Sequence, residues 1–220
     1  MLRPPLWGRG IFLFNCMTEI DIINQALNYL GEARIQSLTQ NTNSAKYGLD
    51  SLPASVDQVL RLHKWNSAIK RATLVRLTED NAFGAKYNYQ LPNDFVKFVQ
   101  MNEGTEAYRI EGKRIVTDEN LVQLVYVAYP DDFSAIDAGL VEAIASKLAF
   151  NISIQVTGET SNQTRMLELH ERFLARARTN DARESSLDDQ SLYAETLRDS
   201  PMIQARRSRG SNRYRYTSGR

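Results

Sequence analysis

The sequence predicts a mainly helical α+β fold: a small helical bundle with a β-rich insertion of short antiparallel strands, and extended termini. Three observations predict it. Apolar residues recur at helical spacing in two stretches before residue 65 and in two more after residue 136. Between them, residues 72–129 are rich in β-branched and aromatic side chains, broken by turn signals. The two ends fit neither pattern, which divides the chain into an arm (1–17), a body (18–182) and a tail (183–220).

Ile23, Ala26, Leu27 and Leu30 stand at i, i+3, i+4 and i+7 and share one helical face. With Thr18 as N-cap and Gly31 as the stop, they give a helix over about 18–30. A second helix is expected over about 44–64, where Tyr47, Val56, Val59, Leu60 and His63 can share a buried stripe. Pro53 interrupts it: proline lacks the amide donor and crowds the preceding turn, so either one helix kinks there or a new one starts. One kinked helix is the favoured reading. Trp65 is then most simply a core residue at a helix–strand junction.

Thr73-Leu74-Val75-Arg76-Leu77, Phe95-Val96-Lys97-Phe98-Val99 and residues 121–129 read as strands, the last as the longest. Tyr108-Arg109-Ile110 and Arg114-Ile115-Val116 flank Glu111-Gly112-Lys113 and predict a hairpin. After Pro130-Asp131-Asp132 the period returns to 3.6. Ile136, Leu140, Ala143, Ile144, Leu148 and Ile152 mark a helix over about 137–156, stopped by Gly158. Thr160 or Ser161 can cap a fourth helix over about 161–182, with Met166, Leu167, His170, Phe173, Leu174 and Ala177 on its apolar side. The last two helices are expected to form an antiparallel hairpin.

Composition narrows the function classes. A chain of 220 residues with 42% hydrophobic and 24% charged content is long enough to bury a real core. Its net charge of +1 argues against coating nucleic acid non-specifically. No apolar run approaches the ~18–20 residues that a membrane span needs. Cys16 is the one cysteine, so neither an internal disulfide nor a cysteine zinc site is available. Met17-Thr18-Glu19 reads like a natural start, and the residues before it as an upstream start or a flexible arm.

No catalytic constellation emerges. His170-Glu171 opens like a zinc-protease helix, but Leu174 stands where the second histidine belongs. His63 and His170 each fall on an apolar helix face and read as packing residues. There is no glycine-rich dinucleotide or phosphate loop. Asp131 and Asp132 read as a solvated turn rather than paired catalytic acids, and Glu32 lacks the second carboxylate that sugar cleavage requires. The residues thus imply no cofactor and no metal.

Beyond Asp199 the tail has no acids but carries Arg206, Arg207, Arg209, Arg213, Arg215 and Arg220, with Tyr214 and Tyr216 among them. Such a segment cannot bury enough apolar surface to fold alone. Three uses stay open: tracking phosphates, pairing with acidic groups on a protein partner, or solubilising the end.

Four segments carry a family resemblance: Ala26-Leu27-Asn28-Tyr29-Leu30-Gly31-Glu32, then Trp65-Asn66-Ser67-Ala68-Ile69-Lys70-Arg71-Ala72-Thr73-Leu74, then Tyr89-Gln90-Leu91-Pro92-Asn93-Asp94-Phe95, and Glu142-Ala143-Ile144-Ala145-Ser146-Lys147-Leu148-Ala149. In that order, over about residues 20–181, the chain resembles the tail tubular protein A family, the head-to-tail adaptors of short-tailed bacteriophages. The resemblance implies a non-enzymatic virion protein whose twelve copies form a ring. The ring would join the portal protein to the tail nozzle (tail tubular protein B), near the tail fibres, with genomic DNA passing through its lumen. Assembly would take place in the host cytoplasm, and the product would sit at the head–tail junction.

Within that frame the expected portal contacts are Arg206, Arg207, Arg209, Arg213, Tyr214, Arg215 and Tyr216. The expected contacts to the nozzle or a neighbouring subunit are Phe83, Tyr87, Tyr89, Tyr108, Arg109 and Arg114. Two other classes compete: a nucleic-acid-binding module acting through the arginine-rich tail, and a virion-associated cell-wall hydrolase.

Overall fold

A computed structural model describes residues 17–78, 84–102 and 107–184. The chain divides into a unit over Met1–Arg178 and a second over Thr179–Arg220, of which only 179–184, the end of the last helix, are described.

Helix α1 spans Glu19–Leu30. Thr18 is extended and caps it in a reciprocal box: its hydroxyl accepts from the Asp21 amide at 3.3 Å, and its own amide donates to the Asp21 carboxylate at 2.9 Å. The helix stops at Gly31, left-handed at φ 77°. The Gly31 amide returns to the Asn28 carbonyl and the Glu32 amide to that of Leu27, the paired bonds of a Schellman stop.

Helix α2 spans Asn43–Leu62, capped by Thr42, and runs unbroken through Pro53. It ends two residues earlier than the sequence predicts, because His63 is already extended. The reason lies in Trp65, whose indole is buried and donates through Nε1 to the Val59 carbonyl at 3.0 Å. That bond folds the chain back under the last turn of α2, and the His63 ring stands edge-on to the indole at 4.9 Å. A short 3₁₀ turn, Asn66–Ala68, then leads into the first strand.

Helix α3, Ala138–Thr157, is buried on several sides at once, with Leu140, Val141, Ile144, Leu148 and Ile152 all inaccessible. A helix apolar all round belongs at the centre of a bundle, and both α1 and α2 pack on it. Asp137 caps it and Gly158, at φ 71°, ends it. Helix α4, Thr160–Glu184, returns antiparallel. Gly139 faces Ala177 and Ser146 faces His170, a step of seven residues down one helix matched by seven up the other. Thr160 and Ser161 lie inside α4 rather than capping it. The turn is held instead by Glu159, whose carboxylate accepts from Ser161 and Asn162.

The strands form two antiparallel sheets. Sheet one orders β1 (Ile69–Thr73), β6 (Gln123–Ala128) and β3 (Phe95–Met101) as β1-β6-β3. Sheet two orders β2 (Tyr87–Gln90), β5 (Arg114–Thr117) and β4 (Tyr108–Glu111) as β2-β5-β4. The β4–β5 hairpin forms where the sequence places it, with Gly112 at φ 62° in a two-residue turn. Two expectations need correction. The first strand begins at Ile69, not Thr73, and residues 74–77 pass from sheet one to sheet two: the Leu74 amide bonds to Val122, whereas Leu77 bonds to Asn88. The longest strand is β3, with seven residues, not β6 with six.

Period-two alternation on β6 builds two cores. Leu124, Tyr126 and Ala128 face a core with Tyr89, Leu91, Met101 and Ile115. Val127 faces the other way, into the helical core with Trp65, Val59 and Val96. Sheet one is therefore a wall between the bundle and sheet two.

Gly48 lets α2 approach α1 closely. A Cβ there would stand 2.7 Å from Cγ2 of Ile23, a fully buried β-branched side chain. In an open helix, Gly→Ala gains about 1 kcal/mol. Here Gly48→Ala is expected to destabilise by about 1–2 kcal/mol net, because overpacking outweighs propensity. Urea unfolding would read it as a lower midpoint at unchanged slope.

Candidate interaction surface

Register decides what sheet two can present. Tyr87 stands opposite Thr117 and Thr117 opposite Tyr108; Tyr89 stands opposite Ile115 and Ile115 opposite Ile110. These residues share the face turned to the second core. Arg109 lies opposite Val116 and Arg114 opposite Glu111, on the other face. The aromatic and arginine contacts that the sequence groups together thus fall on two faces of one sheet rather than on one patch.

The individual placements differ sharply. Tyr89 is 1% exposed and its hydroxyl donates to the Glu119 carbonyl at 2.7 Å, so it is a core residue and offers no side chain to a partner. Tyr87 is half-buried, with the Arg76 guanidinium over its ring at 3.8 Å. Tyr108 stacks on Phe98 of sheet one at 4.3 Å yet stays 39% exposed. Arg109 is exposed and Arg114 half-buried. Phe83, the arm before Met17, and Arg206, Arg207, Arg209, Arg213, Tyr214, Arg215 and Tyr216 lie outside the described residues.

A charged junction has no local signal in the sequence. Lys70 on β1 donates to Asp94 at 2.7 Å and to Asp131 at 2.9 Å, and the Tyr126 hydroxyl donates to the other Asp94 oxygen at 3.1 Å. Hydrogen bonds to Asp94 and Asp131 hold the Lys70 ammonium above its ordinary value. Burial pushes the Asp94 carboxyl up, but the bonds from Lys70 and Tyr126 outweigh it and leave the group lowered. Burial, then the Asp94 bond, pushes the Tyr126 hydroxyl up. The group pins the loop before β3 and the loop after β6 to the first strand. It borders a cavity of about 310 Å³ floored by Ala68, Ile69, Ala128 and Ile136.

On the bundle side of sheet one, the outer half is uncovered among the described residues. A groove of about 440 Å³ runs over Arg71, Thr73, Gln100, Asn102, Gln123 and Val125. Just beyond the ends of β1 and β6 stand Val75, 75% exposed, and Leu121, 55% exposed. Among the described residues near the sheets these are the two most exposed large apolar side chains, and from sequence both read as ordinary strand residues.

The aspartate turn is used structurally. Asp131 holds Lys70, and Asp132 caps the 3₁₀ turn Phe133–Ala135 through Ser134. Among the described residues, no group of three or more His, Cys, Asp or Glu side chains could hold a metal ion. None of the described helices is long and apolar enough to cross a membrane.

His170 is buried between α3 and α4, with Nδ1 3.1 Å from the Ser146 hydroxyl. Ser146 already donates to the Ala143 carbonyl, so the imidazole is the donor in the pair and Ser146 is no activated nucleophile. Burial, then the charges of Lys147 and Arg178, hold its pKa below the ordinary value. The unfolded chain therefore binds the proton more readily, and stability present above about pH 6.5 is lost as pH falls toward the folded value. His170→Gln is expected to flatten that slope between about pH 6.5 and the carboxylate range, read by denaturant unfolding at a series of pH values.

No protein-family model matches the chain, and no curated protein matches it.

Proposed function

We propose that this chain is the head-to-tail adaptor of a short-tailed bacteriophage, a non-catalytic subunit that closes into a ring between the portal protein and the tail nozzle. The observation that carries the reading is where the resemblance-bearing segments fall. Leu30-Gly31-Glu32 is the Schellman stop of α1. Trp65 to Leu74 contains the indole anchor and all of β1. Tyr89 to Phe95 carries the chain out of sheet two and into sheet one. Glu142 to Ala149 is the buried middle of α3. Three of these segments are junctions and the fourth is the centre of the bundle, so likeness there is likeness of build.

The surfaces suit such a part. A ring of heterologous contacts needs two different complementary faces on one subunit. The helical bundle and sheet two have separate cores and present unlike surfaces. Tyr108 and Arg109 are the accessible candidates for the nozzle or a neighbour.

Charge is segregated along the chain. Residues 200–220 hold six arginines and no acid, so the other 199 residues carry net −5 of the total +1. The planar guanidinium fork suits carboxylates on a protein partner. We assign the tail, through Arg206, Arg207, Arg209, Arg213, Tyr214, Arg215 and Tyr216, to the portal. The same segregation favours a second reading, in which the arginines track DNA phosphates.

Mixing the full chain with its portal and imaging the product tests the reading: a ring seated on the portal is expected, and virions that retain their genome and gain tails without this chain would overturn it. Truncation after Asp199 is expected to leave the melting temperature of the body unchanged and to abolish portal binding. A tail that instead binds DNA would show affinity falling steeply between low and physiological salt in a gel-shift series.

A further inference from the structure

Strand β4 has β5 on one side and, among the described residues, no strand on the other. All four of its residues are exposed, including Ile110 at 42%. The hairpin turn holds two residues, so Glu111 and Arg109 aim their N–H and C=O groups at β5. Tyr108 and Ile110 aim theirs outward. Proteins commonly blunt such an edge with proline, a bulge or like charges. This edge has no proline, its register with β5 is unbroken, and its two charges are opposite in sign, one on each side of Ile110.

That order is self-complementary. With a second copy laid antiparallel and Ile110 opposite its counterpart, Arg109 meets Glu111 of the second copy and Glu111 meets its Arg109. The rows already set across the sheet then continue without a break. Tyr89, Ile115 and Ile110 form an apolar row that meets the same row reversed. Gln90, Arg114 and Glu111 form a row that continues into Arg109, Val116 and Asn88 of the second copy, with charges alternating at the join. The outward backbone groups of Ile110 find partners in the same register.

We infer that two copies of this chain pair edge to edge through β4, about a two-fold axis at Ile110, and merge their second sheets into one. A two-fold contact uses the same patch on both subunits and cannot pass from neighbour to neighbour around a single ring. The pair is therefore a form of the free chain, and it stands whether or not the adaptor reading does.

Sedimentation equilibrium on the full chain tests it. The wild type is expected to show a concentration-dependent monomer–dimer equilibrium. Arg109→Glu and Glu111→Arg each set two like-charge pairs across the axis and are expected to weaken pairing about tenfold or more. An equimolar mixture of the two variants restores opposite charges at both positions and is expected to pair like the wild type. Glu111→Arg also faces Arg114 within its own hairpin. Should it fail to fold, Ile110→Lys sets lysine against lysine at the axis and is expected to be monomeric, with its melting curve showing a folded chain. A wild type monomeric at every concentration, folded single variants that dimerise as well as the wild type, or a mixture of folded variants that stays monomeric would overturn the pairing.

Discussion

The fold depends on one constraint: sheet one must satisfy two cores at once. On β6 the side chains alternate, so Leu124, Tyr126 and Ala128 serve sheet two while Val127 serves the bundle. A slip of one residue would exchange the two sets, placing the Tyr126 hydroxyl against Trp65 and Val59. Register is therefore specified from both sides, and β1 and β3 inherit it by pairing with β6. The irregularities in β3 lie between Phe95 and Lys97 and between Phe98 and Gln100. They let this strand keep Val96 in the helical core while Phe98 turns its ring to Tyr108.

Polar contacts then fix what alternation leaves free. Arg61 on α2 pairs with Asp57 and donates to the Val96 carbonyl at 2.9 Å, tying the bundle to the edge strand of sheet one. Lys70 does the same for two loops, through Asp94 and Asp131. Both cations are largely exposed, so each pair contributes on the order of 1 kcal/mol or less. Their effect is geometric: they tie α2 to β3, and the loops before β3 and after β6 to β1. Burial contributes more: the Trp65 indole alone is 1% exposed, and its truncation to alanine would cost roughly 3–5 kcal/mol.

What was legible in the sequence was local. Thr18, Gly31, Asp137 and Gly158 mark helix ends through bonds spanning two to five residues, and a linear reading finds them. The helical stripe around His170 marks its burial in the same way. The handover of residues 74–77 between sheets was not legible, because it is decided by Val122 on one side and Asn88 on the other. The Lys70 junction joins residues 24 and 61 positions apart, with no periodicity to reveal it. Tyr89 misled for a subtler reason. It shares a face with Tyr87 and Tyr108, and only its partners, Ile115 on one side, a bridge to Arg76 on the other and the Glu119 carbonyl at its hydroxyl, separate a core tyrosine from accessible ones. The arginines of the tail stand out by composition alone, and composition does not choose among phosphate tracking, pairing with an acidic protein partner and solubilising the end.

On the proposed adaptor reading, the surface chemistry bears on how a ring part would avoid premature assembly. A subunit that closes a collar carries complementary faces, and free copies in one compartment would polymerise if those faces were always competent. One solution delays a contact until a partner of opposite charge is present, which suits a segment of six arginines and no acid. Another occupies an edge with a second copy until the proper partner displaces it. β4 is suited to this because it is short. The self-pairing inferred for it would rest on two charge pairs, one isoleucine contact and a few backbone bonds. An interface that small is weak enough to yield to a larger one, and its isologous symmetry prevents it from propagating.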